Sequence, residues 1–236
     1  MGRAFEFRKA RKLKRWSAMA KTFTRIGKEI VLAVKEGGPS IETNSKLRAV
    51  VQNAKSANMP KENIERAIKK ASEKSSENFK EIIFEGYGPK GVAIIIETAS
   101  DNNNRTVANI RSYFNKYNGS LGTAGSVEFM FERVISFKIK TNIDVEELEL
   151  DLIDFGVEEV VKEELNDCVF LYSTFENYGI LQRELENRNI QIISSEFERI
   201  PKQYKDLDQS DKEEVNLLLE KIEEDDDVQN VFHNMK

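Results

Sequence analysis

The 236-residue sequence contains one cysteine, Cys168, and one histidine, His233. A lone cysteine excludes an internal disulfide framework and suits a reducing compartment. Structural zinc takes about four ligands from Cys, His and carboxylates, and no clustered spacing of these residues occurs. No metal and no cofactor is therefore expected. A Ser-His-Asp or Cys-His arrangement would have to use His233, which sits in a tail without a nucleophile signature, so the chain reads as non-enzymatic with no small-molecule substrate. No window approaches the ~18 apolar residues of a membrane span. The opening residues lack the apolar stretch and cleavage site of a secretory signal, and Glu6 stands where myristoylation needs Ser or Thr. Together these absences point to a cytoplasmic protein with no membrane partner.

What is present is charge, unevenly spread. The net charge of −5 hides a split: residues 1–80 hold 20 Lys/Arg against 8 Asp/Glu, whereas residues 81–236 hold 16 against 33. Residues 1–35 carry 11 basic groups and only Glu6 and Glu29 as acids. Such asymmetry marks a head that attracts polyanions and a body that repels them.

Apolar residues from Leu13 through Trp16, Phe23, Ile26 and Ile30 to Val34 recur at three- and four-residue steps, predicting one long helix, or two nearly continuous ones, over residues 8–35. The cations Arg8, Lys9, Arg11, Lys12, Lys14, Arg15, Lys21, Arg25 and Lys28 fall mostly off that stripe and are the candidate nucleic-acid contacts. The first six interleave with Phe5, Phe7 and Trp16; neighbouring aromatics suit base stacking, although the periodicity assigns Trp16 to the core. Gly37-Gly38-Pro39 stops the helix, and two shorter helices follow, from Asn44 to Ala57 and after Pro60.

Beyond a linker at 72–80 the apolar period becomes two. Strands are expected over Glu81–Tyr87 and Val92–Thr98, a helix over Asn102–Tyr117, and a strand with Val127, Phe129 and Phe131 alternating. A strand over Ile135–Lys140 opens a β-α-β-β-α-β series ending at Ile200, the ferredoxin-like split unit. An acidic helix (Ser210–Ile222) and a strand (Val228–His233) close the chain; that strand is too short to stand alone and is expected to join the 81–132 sheet. The fold class is α+β: a basic helical domain over 1–76, a discontinuous α+β domain over 77–132 with 206–236, and a ferredoxin-like domain over 133–205.

Several motifs admit two readings. Gly86-Tyr87-Gly88-Pro89-Lys90-Gly91 matches a dinucleotide fingerprint, but a β-branched run follows it instead of a helix, so it reads as a hairpin. Asp101, Asn102, Asn104, Arg105 and Thr106 crowd a helix start that capping alone needs in only one or two places. A cation there opposes the helix dipole, so Arg105 implies either a bound ligand or RNA, or an ion pair with a carboxylate such as Glu85 or Glu97. Gly122, Gly125 and Ser126 form either an anion-binding nest or a plain turn. Asp225-Asp226-Asp227 reads as a solvated acidic run.

Six strings resemble the YebC/PmpR family: Phe23-Thr24-Arg25-Ile26; Asn58-Met59-Pro60; Glu85-Gly86-Tyr87-Gly88-Pro89; Ser100-Asp101-Asn102 with Asn104-Arg105-Thr106; Leu121-Gly122-Thr123 with Gly125-Ser126-Val127; and Asp226-Asp227-Val228-Gln229 with His233-Asn234. The resemblance spans nearly the whole chain. It implies three domains around a central cavity and a cytoplasmic, DNA-binding probable transcriptional regulator; relatives, including a mitochondrial branch, are linked instead to translation on the ribosome, where the partner is rRNA or tRNA. The family commonly begins Gly-His-Ser-Lys-Trp, whereas here Gly2 precedes Arg3-Ala4-Phe5-Glu6-Phe7, so no role of that early His or Trp carries over. No clear helix-turn-helix spacing or heptad seam accompanies the DNA reading.

Overall fold

The computed structural model describes residues 3–73, 79–163 and 168–236, with residues 3–18 and 163 as backbone alone. The chain runs α1 (Arg3–Gly37), α2 (Ser45–Ser56), α3 (Lys61–Ser72), β1 (Lys80–Tyr87), β2 (Ala93–Ser100), α4 (Asn103–Lys116) and β3 (Ser120–Leu121). It continues through β4 (Phe131–Lys140), α5 (Val145–Leu152), β5 (Val157–Glu163), β6 (Cys168–Thr174), α6 (Tyr178–Asn187), β7 (Gln191–Pro201), α7 (Gln209–Glu223) and β8 (Val228–His233). The α+β class, with a helical bundle and a ferredoxin-like unit, matches the expectation.

The head forms where the α1 stripe meets α2 and α3: Ile26, Ile30 and Val34 pack with Leu47, Val51, Ala54 and Ile64. α1 is a single helix of 35 residues beginning at Arg3, and it spans about 50 Å at 1.5 Å per residue. The side chain of Trp16, assigned to this core by periodicity, lies outside the described residues. Asn44 joins the first two helices. Its Oδ1 accepts from the Leu47 N–H as the α2 cap, and its amide donates to the carbonyls of Ala33 and Gly38.

The middle sheet has the order β3-β1-β2-β8, all antiparallel, so the last strand does return to pair with β2. Both faces of β2 are buried. Ile94 and Ile96 pack with Ile110, Phe114 and Leu218 from α4 and α7, and Ala93 and Ile95 pack with Val127 and Phe131. Gly86 permits the crossing at β1, because a Cβ there would lie 2.6 Å from the Ser120 carbonyl oxygen.

The second sheet has the order β5-β6-β4-β7. Ile135, Phe137 and Leu171 on one face pack with Leu148 and Leu152 of α5 and with Leu181 and Leu185 of α6. The alternate residues face away from both helices. β4 is one strand from Phe131 where sequence alternation suggests two, because Glu128–Met130 is a 3-10 turn and Phe129 is 66% exposed. Arg199 of β7 is buried and ties the sheets together: its Nε donates to Glu97 at 2.9 Å and one terminal nitrogen to Glu128 at 3.3 Å. The head rests on β7, where Asn53 and Ser195 exchange two hydrogen bonds of 2.7 and 3.0 Å.

Candidate nucleic-acid interface

The basic residues of α1 fall into two groups. Arg8, Lys9, Arg11, Lys12, Lys14 and Arg15 lie on the helical backbone, and their side chains are outside the described residues. The C-terminal three turn toward the body to an increasing degree. Lys21 is half-buried. Arg25 is half-buried and donates to the Glu223 carbonyl at 2.9 Å, placing a cation at the negative end of α7.

Lys28 corrects the sequence reading. Although it was expected among the cations facing a polyanion, its ammonium is buried and turned inward. The nitrogen donates to Asp227 Oδ1 at 2.9 Å, the Ala99 carbonyl at 3.0 Å and the Asp226 carbonyl at 2.7 Å. An ammonium has three donors and is costly to bury unless each is matched. Here all three are matched, so none remains for a phosphate.

Asp227 is the centre of this cluster. Its Oδ2 accepts from Ser100 Oγ at 2.9 Å, Thr106 Oγ1 at 2.8 Å and an Arg105 terminal nitrogen at 2.9 Å. Burial pushes its pKa up, but the hydrogen bonds from Arg105, Lys28, Thr106 and Ser100 outweigh burial and hold the carboxyl well below the usual range. One carboxylate thereby joins α1, the end of β2, the first turn of α4 and the entry to β8.

This cluster accounts for the Asp101–Thr106 segment as structure. Asn102 caps α4, accepting from the Arg105 N–H at 3.1 Å. The Arg105 guanidinium, unfavourable beside the positive helix end, is offset by Asp227 and by Asp101 at 2.9 Å. Its carboxylate partners are thus neither Glu85 nor Glu97. Thr106 is fully buried, while Asp101, Asn102 and Asn104 are exposed. Asp227 itself was missed because an acidic triplet looks solvated. The usable signal was its place directly before β8, which pairing with β2 sets beside Ala99; the Ala99 N–H donates to the Asp227 carbonyl at 2.8 Å.

The glycine-rich loop is a nest, and the chain fills it. Glu85 accepts backbone N–H groups from Gly125 at 2.6 Å and from Val127 and Glu128 at 2.8 Å. Gly125 adopts φ 81°, a left-handed conformation that favours glycine. Burial pushes the Glu85 pKa up, yet the three N–H groups more than compensate and lower it. An external phosphate would have to displace that carboxylate. Gly86 to Gly91 makes the β1–β2 turn, with the Gly88 N–H donating to the Val92 carbonyl at 2.8 Å. Among the described residues no group of three or more His, Cys, Asp or Glu is placed to hold a metal ion. Nor is any described helix long and apolar enough to cross a membrane.

A basic helical head clamped by an acidic hub to a two-sheet α+β body defines a three-part architecture. The profile of the TACO1/YebC protein N-terminal domain matches residues 3–74, and that of the TACO1/YebC second and third domain matches residues 79–235. The chain belongs to the TACO1/YebC family. It is 67% identical to a Flavobacterium johnsoniae protein named probable transcriptional regulatory protein, over 100% of this chain and 99% of that one. A Porphyromonas gingivalis protein of the same name is 56% identical over 100% of this chain and 98% of its own length. The crystal structure of a conserved hypothetical protein from Aquifex aeolicus is similar with a TM-score of 0.78 and 37% identity, covering 92% of this chain and 90% of that one.

Proposed function

We propose that this chain is a cytoplasmic, non-enzymatic regulator of transcription that binds DNA through the N-terminal part of α1. The supporting observation is the division of the nine candidate cations. Lys28 is spent on Asp227 and Arg25 on the end of α7, which fixes the orientation of the helix. The six cations from Arg8 to Arg15 lie about three to five turns beyond Arg25 along the same helix. The names of the relatives agree with this reading. The Asp101–Thr106 segment enters as the support that aims the head, with exposed Asn104 at its outer edge.

Salt-dependent binding to duplex DNA tests the reading. Each phosphate contact contributes about 0.9 to the slope of log K against log salt. Replacing Arg8, Lys9, Arg11, Lys12, Lys14 and Arg15 by glutamine should flatten that slope and weaken binding by more than about 100-fold at low salt. Unchanged affinity and slope would place the contact elsewhere.

A second reading, a translation factor bound to ribosomal or transfer RNA, is favoured by α2. Its polar side chains Gln52, Asn53 and Ser56 all donate to backbone carbonyls of β7, which withdraws this helix from major-groove reading. Sedimentation of lysate on a sucrose gradient, with and without nuclease, separates the two: co-migration with ribosomes supports translation, and its absence supports DNA.

A further inference from the structure

The face of the second sheet turned away from α5 and α6 carries a groove of about 630 Å³. Val134 of β4, Val161 of β5 and Ile200 of β7 give it apolar surface, and Tyr172 and Tyr204 add two phenol rings. Four carboxylates complete the lining: Glu132, Glu158, Glu159 and Glu198. Among the described residues no lysine or arginine lines it. The strand register explains the gathering. Tyr172 stands opposite Glu159 on β5 and Ser136 on β4, and Val134 stands opposite Glu198 on β7.

None of the four carboxylates is ion-paired among the described residues; Glu198 accepts one hydrogen bond, from Ser136 Oγ at 2.5 Å. This contrasts with Asp227, which has two cationic partners. The field is felt on the ring at the centre: burial raises the Tyr172 pKa, and Glu198, Glu159 and Glu196 raise it further, with no cation opposing them. The cations of this face, Lys138 and Lys140, lie toward the far end of β4.

We propose that this groove is a docking site for an extended, arginine-bearing basic peptide segment of a partner protein. A guanidinium stacks on a phenol face and takes bidentate hydrogen bonds from a carboxylate, so aromatic walls rimmed by free carboxylates match it better than they match an ammonium. Nucleic acid is disfavoured because its phosphates would meet four glutamates. An extended strand sends alternate side chains to one side and can set two of them into the groove. The basic head of a second copy is helical, so its cations diverge around the axis and fit the groove poorly. The volume lies within the range of sites that enclose small ligands or a few side chains.

The full chain should be titrated against a fluorescein-labelled alternating Arg-Gly peptide, with Lys-Gly and Glu-Gly peptides as comparisons. The arginine peptide should bind most tightly, the glutamate peptide should not bind, and the combined change Glu132→Gln, Glu159→Gln and Glu198→Gln should weaken binding at least about tenfold. Tyr172→Ala should weaken binding, and Tyr172→Phe should retain it. The same charge change on α5, Glu146→Gln with Glu147→Gln and Glu149→Gln, should leave affinity within about twofold. Equal losses from both triple variants would reduce the effect to bulk charge and overturn the proposal. It would equally be overturned by an oligonucleotide that outcompetes the peptide at the groove, or by self-association that the groove variant abolishes. Thermal melting of each variant checks that its fold is intact.

Discussion

The two sheets have four strands each and opposite uses. β2 of the middle sheet is buried on both faces, with helices α4 and α7 on one side and Val127 and Phe131 on the other. The ferredoxin-like sheet is covered by helices on one face only, and its other face displays Glu132, Glu159, Tyr172 and Glu198. Charges at the closed sheet are matched one by one, as at Asp227, Glu97 and Glu85; the groove glutamates at the open sheet have no ion pair among the described residues. Matched charges fix geometry, and unmatched ones remain available to a partner. The closed sheet is therefore the frame of the molecule, and the open one is a surface.

That contrast is tested most severely by deleting residues 226–236. The deletion removes β8 and Asp227, exposes the β2 edge and leaves Lys28 buried without its carboxylate. A loss on the order of 5 kcal/mol, or an insoluble product, is expected in denaturant melts; a monodisperse protein with the original Tm would make the tail an appendage. Asp227→Ala alone should cost about 3–5 kcal/mol, because it strands the buried Lys28 ammonium and the Ser100 and Thr106 hydroxyls. The wild-type contribution of this depressed carboxyl is present above its unfolded pKa and is lost as pH falls through the lower folded value.

Glu85→Gln should cost about 1.5–3 kcal/mol by removing the charge that gathers three backbone N–H groups. Its cost should shrink on acidification, since the wild-type carboxyl, also lowered in pKa, is itself protonated at low pH.

Glu29 of α1 has the opposite sign. Burial, followed by Glu196 and Glu81, pushes its pKa from 4.5 up to about 7. Its charged form is disfavoured in the fold, so the penalty is absent below pH 4.5, grows between 4.5 and 7, and is complete above 7. Glu29→Gln should therefore stabilise by about 1–3 kcal/mol at pH 8 and leave Tm unchanged near pH 4. A pH-independent effect would remove the electrostatic explanation. At the open sheet, Glu132→Gln, Glu159→Gln and Glu198→Gln should each shift stability by no more than about 0.5 kcal/mol. A large destabilisation there would make those carboxylates part of the frame.

Periodicity alone located most elements, because one-sided burial imposes a period near 3.6 on helices and two on strands. The stripe from Phe23 to Val34, the β-α-β-β-α-β order and the return of Val228–His233 to a sheet were legible for that reason. Phe129 was misplaced because its alternation with Val127 and Phe131 looks like a strand. What bends the chain there is Glu85, more than 40 residues earlier, which gathers the N–H groups of Gly125, Val127 and Glu128.

The sequence by itself determined the local conformations, the basic head and the acidic body, since composition and period are properties of neighbouring residues. Which charges are free and which are spent was decided only by tertiary structure. Nothing local to α1 sets Lys28 apart from its other cations, yet Lys28 meets a carboxylate 199 positions away. Burial removes water as the alternative partner, and only the folded chain specifies which groups lose it.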